Sequence, residues 1–502
     1  MKRIVLLQCV LIVILASCGG KGKSTESGIS TDFFTKAVNG EITVSAYDSM
    51  AYRSFLEEAA KAFEALYPGT KVNVETFSSM PEVRTGGQGN MQVTRTEMQN
   101  DPQGRADYIS RINTNLMSGT GADIYAMDVL PLHKFKENGT LENLGSYMVM
   151  DPDFHKSDYR ENILDAVRYQ NGTWFLPLNY GFNYFSYDTT LVPTEIAGKF
   201  GTDKSFSTEE LLKIGMGLYN GAYKIFNIND YSRDSRNMFA VLLGENIQSY
   251  LDLSDKKPNF VDGSFSGMLN SVKNYGQQGL IPQGVTGQQN ANQQNVGQQN
   301  VGQLRQQGMG APTDRFYFKQ NNTLNLLSQF TRSLGIVNRM MVGGTAMSID
   351  TDDEIAGIQA NADGSVPFTY SRAFGINNQS KNKETAWAFL KFLLSTEMQT
   401  SGNIMATSFP INNKAREETA ELAFTGMFRN SNGVLNDQQR KALEYYKAAV
   451  ERLSDSINCF VLYDASLNDM IASEVQYYFG GSKNADEVAR VLQNKADLYL
   501  NE

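Results

Sequence analysis

Histidine, tryptophan and cysteine are scarce in this chain of 502 residues, with two, two and three of each. The two histidines, His133 and His155, cannot form the His-x-x-x-His pair of a helical zinc site. No Gly-x-Ser-x-Gly elbow is present to expose a serine nucleophile. Asp350, Asp352, Asp353 and Glu354 offer carboxylates, but glycoside hydrolysis requires a set separation across a cleft, and the expectation for this run is a solvated turn. That run and Asn361 to Ser365 both lack the spacing and closing glutamate of a calcium loop, so no metal or cofactor is expected. Positive charge is in deficit, 45 Lys and Arg against 54 Asp and Glu, for a formal net charge of −9. A nucleic-acid partner is disfavoured on that ground, because phosphates call for a basic surface. Long apolar runs are missing too: the stretch from Ile4 to Ala16, interrupted by Gln8, falls short of the roughly 18 to 20 residues of a membrane span.

That short stretch reads instead as an export signal, with basic Lys2 and Arg3, an apolar middle and a small-residue end at residues 1–17. Its end, Leu15-Ala16-Ser17-Cys18, resembles the lipobox of bacterial lipoproteins, which implies cleavage before Cys18 and acylation of its thiol. Cys9 then leaves with the signal, and Cys459 has no partner for an intrachain disulfide. The following Gly22-Lys23-Ser24 is no phosphate loop, since the first glycine of that motif would have to stand at Ser17. Residues 18–40 are rich in Gly, Ser, Thr and Lys and read as a flexible tether.

From Glu41 the pattern changes to alternating elements. "EITVSAY" (41–47) and "KVNVETF" (71–77) read as strands, with a helix between them carrying Phe55, Leu56, Ala59, Phe63 and Leu66 on one face. A helix near 106–117 and a strand "ADIYAMD" (122–128) complete an α/β layer with a mainly parallel sheet. Ligands of such sheets sit beyond the carboxyl ends of the strands, which puts Tyr47, Asp48 and Asp128 at the mouth. Further on, Ser207 or Thr208 should cap a helix. Residues 284–310 repeat Gln-Gln-Asn at a period of five with almost no apolar side chains, and read as a disordered insertion. "AFGINNQSKNKETAWAFLKFLLSTEMQ" (373–399) reads as a strand, a turn and an amphipathic helix with Trp387 in the core, and the C-terminal region reads as helical.

The order and spacing of the lipobox, the "ITVSAY" strand with its helix, "GTGADIYAMD", "GGTAMSID" and "SKNKETAWAFLKFLLS" resemble those of the sugar-type extracellular solute-binding lipoproteins of ABC importers, the group that includes maltose-binding protein. The Gln/Asn tract departs from that pattern. The resemblance implies a two-lobed α/β fold of the periplasmic-binding-protein type, with a ligand cleft and three hinge crossings, near Tyr180 to Tyr184, Met347 to Asp350 and Phe409 to Asn412. It places residues 41–181 and 351–410 in lobe 1, and 182–350 and 411–502 in lobe 2. It also implies a monomer outside the cytoplasmic membrane, tethered to that membrane through Cys18, that captures a small solute, expected to be a saccharide, and docks on importer membrane subunits. A secreted glycan-processing enzyme and a surface sensory or interaction protein on the same fold are the alternatives.

Between Trp174 and Tyr187 seven of fourteen residues are aromatic, against 11% for the chain. Rings can stack on the apolar faces of sugars while polar side chains take the hydroxyls, so Trp174, Tyr180, Phe182 and Tyr184 are candidate ligand contacts, as are Tyr47, Asp48, Asp128, Asp350 and Arg372. The competing account is a crossing strand whose rings fill the core by alternation.

Overall fold

The computed structural model describes residues 33–34, 38–47, 52–77, 102–228, 235–281, 315–323, 326, 340–342, 345–347, 353–401, 408–427, 434–462 and 464–502. Cys18, residues 1–17, expected to form a leader, most of residues 18–40, expected to form a tether, the Gln/Asn tract, Asp48 and Asp350 lie outside them.

Two five-stranded sheets organise the chain. In the first, the strand order is Thr70–Phe77, Gly40–Tyr47, Ile124–Ala126, Ala373–Ile376 and Leu176–Pro177. The first three run parallel, and Ala373–Ile376 runs antiparallel to both its neighbours. Ile42, Val44 and Ala46 are fully buried, as alternation along the strand requires. The helix Tyr52–Leu66 packs on this sheet through Phe55, Leu56, Ala59 and Phe63, spaced to lie along one face. The helix Lys383–Leu393 buries Ala386, Phe389, Leu390 and Leu393 in the same core. Trp387 lies there as expected: its indole N–H donates to Asp151 Oδ2 at 2.6 Å, and Lys391 Nζ is 2.6 Å from the same oxygen.

The second sheet has the order Lys224–Ile228, Phe316–Asn322, Asn183–Asp188, Asp353–Gln359 and Ser205–Phe206. Its core gathers Phe185, Phe226, Leu269 and Phe318, together with Leu467, Val488 and Leu492 of the C-terminal helices Ala465–Phe479 and Ala485–Asn501. The helix Thr208–Leu218 begins on Ser207, whose hydroxyl and the Glu210 carboxylate form a reciprocal capping box.

The division between the lobes differs from the sequence expectation in two places. The strand Asp353–Gln359, expected in lobe 1, pairs with Asn183–Asp188 and Ser205–Phe206 in the second sheet. Its Asp353 accepts from Lys319 at 2.8 Å and its Glu354 accepts from the Tyr187 hydroxyl at 2.7 Å, so these two acids begin a strand and not a solvated turn. The helices Asn413–Met427 and Asp437–Asp455, expected in lobe 2, bury Phe424, Leu443, Val450 and Leu453 in the first core. The passages between cores among the described residues therefore fall near Tyr180 to Asn183, after Gln359, and after Phe460.

Across the two bodies, Arg105 on the helix Pro102–Ser118 grips both carboxylate oxygens of Asp469, at 2.6 and 2.9 Å. Lys134 donates to the backbone carbonyl of Tyr499 at 2.9 Å and sits 3.6 Å from the centre of its ring. Among the described residues no helix is long and apolar enough to cross a membrane, and no group of three or more His, Cys, Asp or Glu could hold a metal ion.

Candidate ligand site

The carboxyl ends of the three parallel strands of the first sheet converge on a cluster of rings around one carboxylate. Tyr47 ends the first strand and Phe77 the second, and their rings meet that of Tyr108, with centroids 5.8 to 6.3 Å apart. Tyr108 is fixed from behind, its hydroxyl 3.2 Å from Ser45 Oγ. Asp128 follows the third strand, and Tyr52 opens the helix Tyr52–Leu66 beside it. Arg372 immediately precedes the inserted strand Ala373–Ile376, with its guanidinium 4.7 Å from the Phe55 ring centre and 5.6 Å from that of Tyr52. A guanidinium stacked on rings keeps its charge in a low-dielectric place at modest cost.

Asn179 aims this arginine. It is fully buried, its Oδ1 accepts from the backbone N–H groups of Ser371 and Arg372 at 3.0 and 3.2 Å, and its Nδ2 donates to Ser371 Oγ at 2.8 Å. The N–H of Leu178 adds a bond to the Arg372 carbonyl at 2.8 Å.

The electrostatics are unusual for a carboxylate so close to an arginine. Burial pushes the Asp128 carboxyl up from 3.8 to about 7, and its own backbone N–H, the Tyr52 hydroxyl and the Arg372 charge offset only part of that shift. Burial likewise raises Tyr52 well above the usual phenol range, with the Asp128 charge adding to it, and raises Tyr370, which also feels Asp128. Burial lowers Arg372 against the pull of Tyr52 and Asp128. The hydroxyl of Tyr52 is near enough to shift the titration of Asp128. Beyond each other, Tyr52 Oη and Asp128 Oδ1 find no hydrogen-bond partner among the described residues. Buried polar atoms are nearly always paired in native proteins, and a carboxyl and a hydroxyl with no partner but each other, walled by rings, offer directed bonds to a ligand hydroxyl.

A pH dependence follows. The folded chain keeps a proton on Asp128 up to about pH 7, whereas the unfolded carboxyl, at 3.8, has lost it. Folding therefore takes up a proton between those values, and the contribution to stability is present at the acid end and lost as pH rises from about 4 to 7. Thermal melts over this window should show the fall in the native chain and a flatter profile in Asp128→Asn.

Of the residues singled out in the sequence, the structure brings together Tyr47, Asp128 and Arg372 and adds Tyr52, Phe55, Tyr108 and Tyr370. The aromatic run takes a different part. Tyr180, Phe182 and Tyr184 are at most 2% exposed and lie in the first core. Tyr180 and Phe182 back onto Phe409, with centroids 5.6 and 5.9 Å apart. Trp174 folds over its own hairpin, where its indole N–H donates to the Tyr169 carbonyl at 2.7 Å, and a side chain on Gly172 would meet the indole ring at 2.6 Å. These four rings pack in the described conformation, as alternation along a crossing strand allows. The signal for Tyr52 was its place in the first helical turn after the first strand, whereas Asn179, one of two amides in the aromatic run with Asn183, carried no signal of its own.

A cavity of about 860 Å³ lies beside the passage between the bodies, bounded by Tyr159, Phe409, the helices Asn413–Met427 and Asp437–Asp455, and Thr323 just after the strand Phe316–Asn322.

Comparison with known proteins accords with this architecture. No curated protein matches the chain. A periplasmic solute-binding protein from Pectobacterium atrosepticum superposes with a TM-score of 0.52 at 16% identity, covering 92% of this chain and 99% of that one. An extracellular solute-binding protein of family 1 from Alicyclobacillus acidocaldarius gives 0.51 at 14% identity, over 92% and 99%. The maltose/maltodextrin-binding domain MalE from Bdellovibrio bacteriovorus, bound to maltotriose, gives 0.46 at 14%, over 92% and 100%. The first two show the two-lobed fold of the periplasmic-binding-protein type. The family model described as "Bacterial extracellular solute-binding protein" matches residues 88–430, well over half of the chain. Fold and family model agree: this chain belongs to the bacterial extracellular solute-binding proteins, receptors that act outside the cytoplasm and not enzymes.

Proposed function

We propose that the protein captures a sugar or oligosaccharide between its two lobes and delivers it to the membrane subunits of an ABC importer. The observation that carries this reading is the buried pair of Asp128 and Tyr52, left with only each other among the described residues and set among the rings of Tyr47, Tyr108 and Tyr370. Rings offer flat apolar area, and the carboxylate and phenol take hydroxyls in directed bonds, which is the chemistry that holds a neutral polyol. Tyr47, Asp128 and Arg372, with Tyr52 and Tyr370, form the lobe 1 face of the site. Asp48, next in sequence to Tyr47, and Asp350, three residues before the strand Asp353–Gln359, belong to the same proposal. Ligand contacts to both lobes stabilise the closed arrangement, and closure turns on the passages between the cores. Calorimetric titration against a broad saccharide panel tests the reading: a sugar or oligosaccharide binds tighter than millimolar, and failure of every saccharide to do so would sink it.

Membrane attachment through acylated Cys18 and a monomeric receptor complete the proposal. The Cys18→Ser variant should stay uncleaved or appear unanchored in the medium, as read by membrane fractionation. Processed protein retained normally at the membrane would contradict the anchor.

A further inference from the structure

A seam forms where the helices Ala465–Phe479 and Ala485–Asn501 of the second body meet the helices Pro102–Ser118 and Leu132–Glu137 of the first. The pairings of Arg105 with Asp469 and of Lys134 with Tyr499 belong to it. Tyr108, one turn on from Arg105, joins the strand-end cluster, and Leu132–Glu137 begins shortly after Asp128. The seam therefore flanks the candidate ligand site.

Within the seam lies His133. Its side chain is 1% exposed, and neither ring nitrogen has a hydrogen-bond partner among the described residues. Nε2 stands 3.7 Å from Asp464 Oδ2, beyond hydrogen-bond reach. Asp464 is already committed: Oδ1 accepts from the Leu467 N–H at 3.0 Å, capping the helix Ala465–Phe479, and Oδ2 accepts from the Tyr499 hydroxyl at 2.9 Å. Lys134 and Glu137 flank His133 on its own helix, and Glu502 at the end of the C-terminal helix faces Lys134. Lys256 approaches from the hairpin of Leu251–Asp252 and Lys257–Pro258, paired with Glu137 at 2.9 Å. Asp464 also borders a cavity of about 490 Å³ between the bodies, whose other charged groups are Asp165, Arg168 and Asp252. Burial lowers the His133 imidazole from 6.5, and Lys134 and Lys256 add to this, while Asp464 and Glu137 offset only part of it. The joined seam thus has room for the ring but not for its charge.

We propose that His133 makes this seam an acid-sensitive joint: the joined lobes hold a neutral imidazole, and acid favours lobes that part here and let the ring take up a proton in water. The sign follows from linkage. Parting returns His133 to the ordinary 6.5, so the joined arrangement is fully favoured above that pH and loses ground below it. The ratio of parted to joined lobes rises by up to about tenfold per pH unit until the lowered value of the joined state is passed. The joint stands apart from the saccharide-capture reading; on that reading, acid would also relax the grip on the solute.

The test is small-angle scattering of the ligand-free chain from pH 8 to pH 5, which reads the parting as a rise in radius of gyration. Nuclear magnetic resonance of the only two histidines, His133 and the exposed His155, follows the ring in the same samples. The expected result is a rise that begins below about pH 6.5 in the native chain, together with protonation of His133. In His133→Gln the rise is lost, and His133→Phe repeats the measurement should the first variant melt early. In Asp464→Asn, whose amide still caps the helix but no longer offsets an imidazolium, the rise is larger. Asp128 and Glu245, both raised to about 7, titrate in the same window. Each is held within one body, and both persist in the variants. An unchanged rise in the His133 variants, no rise in the native chain down to pH 5, or protonation of His133 near pH 6.5 at constant radius overturns the proposal. No ligand enters these measurements, so failure of saccharide capture leaves their outcome unaffected.

Discussion

Replacing Asp151 with alanine is expected to destabilise the protein by about 3 kcal/mol, read as a lower urea midpoint with an unchanged slope. Asp151 is 3% exposed, and one oxygen takes both the Trp387 N–H and the Lys391 ammonium, at 2.6 Å each. The other takes the N–H of Asp153 at 2.9 Å. Trp387, itself 2% exposed, packs against Tyr147 and Phe154, with centroids 5.4 and 5.6 Å apart. The indole donor therefore has no route to water once its acceptor is gone. Lys391 is 27% exposed and can turn outward, which keeps the loss nearer 3 than 5 kcal/mol. Burial alone would raise the Asp151 carboxyl, but Lys391, Trp387 and the Asp153 N–H outweigh it and hold the group below 3.8. Its contribution is accordingly present above about pH 4 and lost as pH falls through the lowered value. A loss under about 1 kcal/mol would show that the first lobe repacks around the indole without this anchor.

Asp128→Asn should move binding and stability in opposite directions. Hydrogen bonds to a charged partner contribute about 1.5 to 3 kcal/mol, so an amide in place of the carboxylate should weaken saccharide binding about tenfold to a hundredfold at pH 8. At the same pH the variant should melt above the native chain, because the ionised form of Asp128 is the disfavoured one in the fold, raised to about 7 by burial even with Arg372 nearby. A merely structural carboxylate gives a different pattern: both affinity and stability would drop, and that outcome would remove Asp128 from the ligand site. Binding sites that hold desolvated groups ready for a ligand commonly trade stability in this way.

How far the sequence was legible depended on whether a residue's role was local. The helix Lys383–Leu393 and the strand Gly40–Tyr47 could be read from spacing, because a 3.6 or a 2.0 period directly states which face is buried. Asp128 could be placed because the end of a parallel strand is a position with a general meaning. The lobe membership of Asp353–Gln359 could not be read, since a strand's sequence does not say which sheet edge accepts it. Helix Asp437–Asp455 has a clear apolar face through Leu443, Tyr446, Val450 and Leu453, but that face fits either core. Tyr180, Phe182 and Tyr184 stood out by density, yet density cannot separate a binding strip from a packed crossing. Asn179, silent by composition, became visible only through its bonds to Ser371 and Arg372.

The placement of Ala373–Ile376 between Ile124–Ala126 and Leu176–Pro177 bears on the order of events as the chain emerges. The first sheet lacks an inner strand until a segment made far later arrives, and its core also waits for the helix Asp437–Asp455. At synthesis rates of about 5 to 20 residues per second, the amino-terminal half spends a long interval with its sheet incomplete. Pairings so distant in sequence also form slowly. Late closure leaves the lobe that holds Asp128 and Arg372 unlocked until the segment Ala373–Ile376, which completes its sheet, has been made.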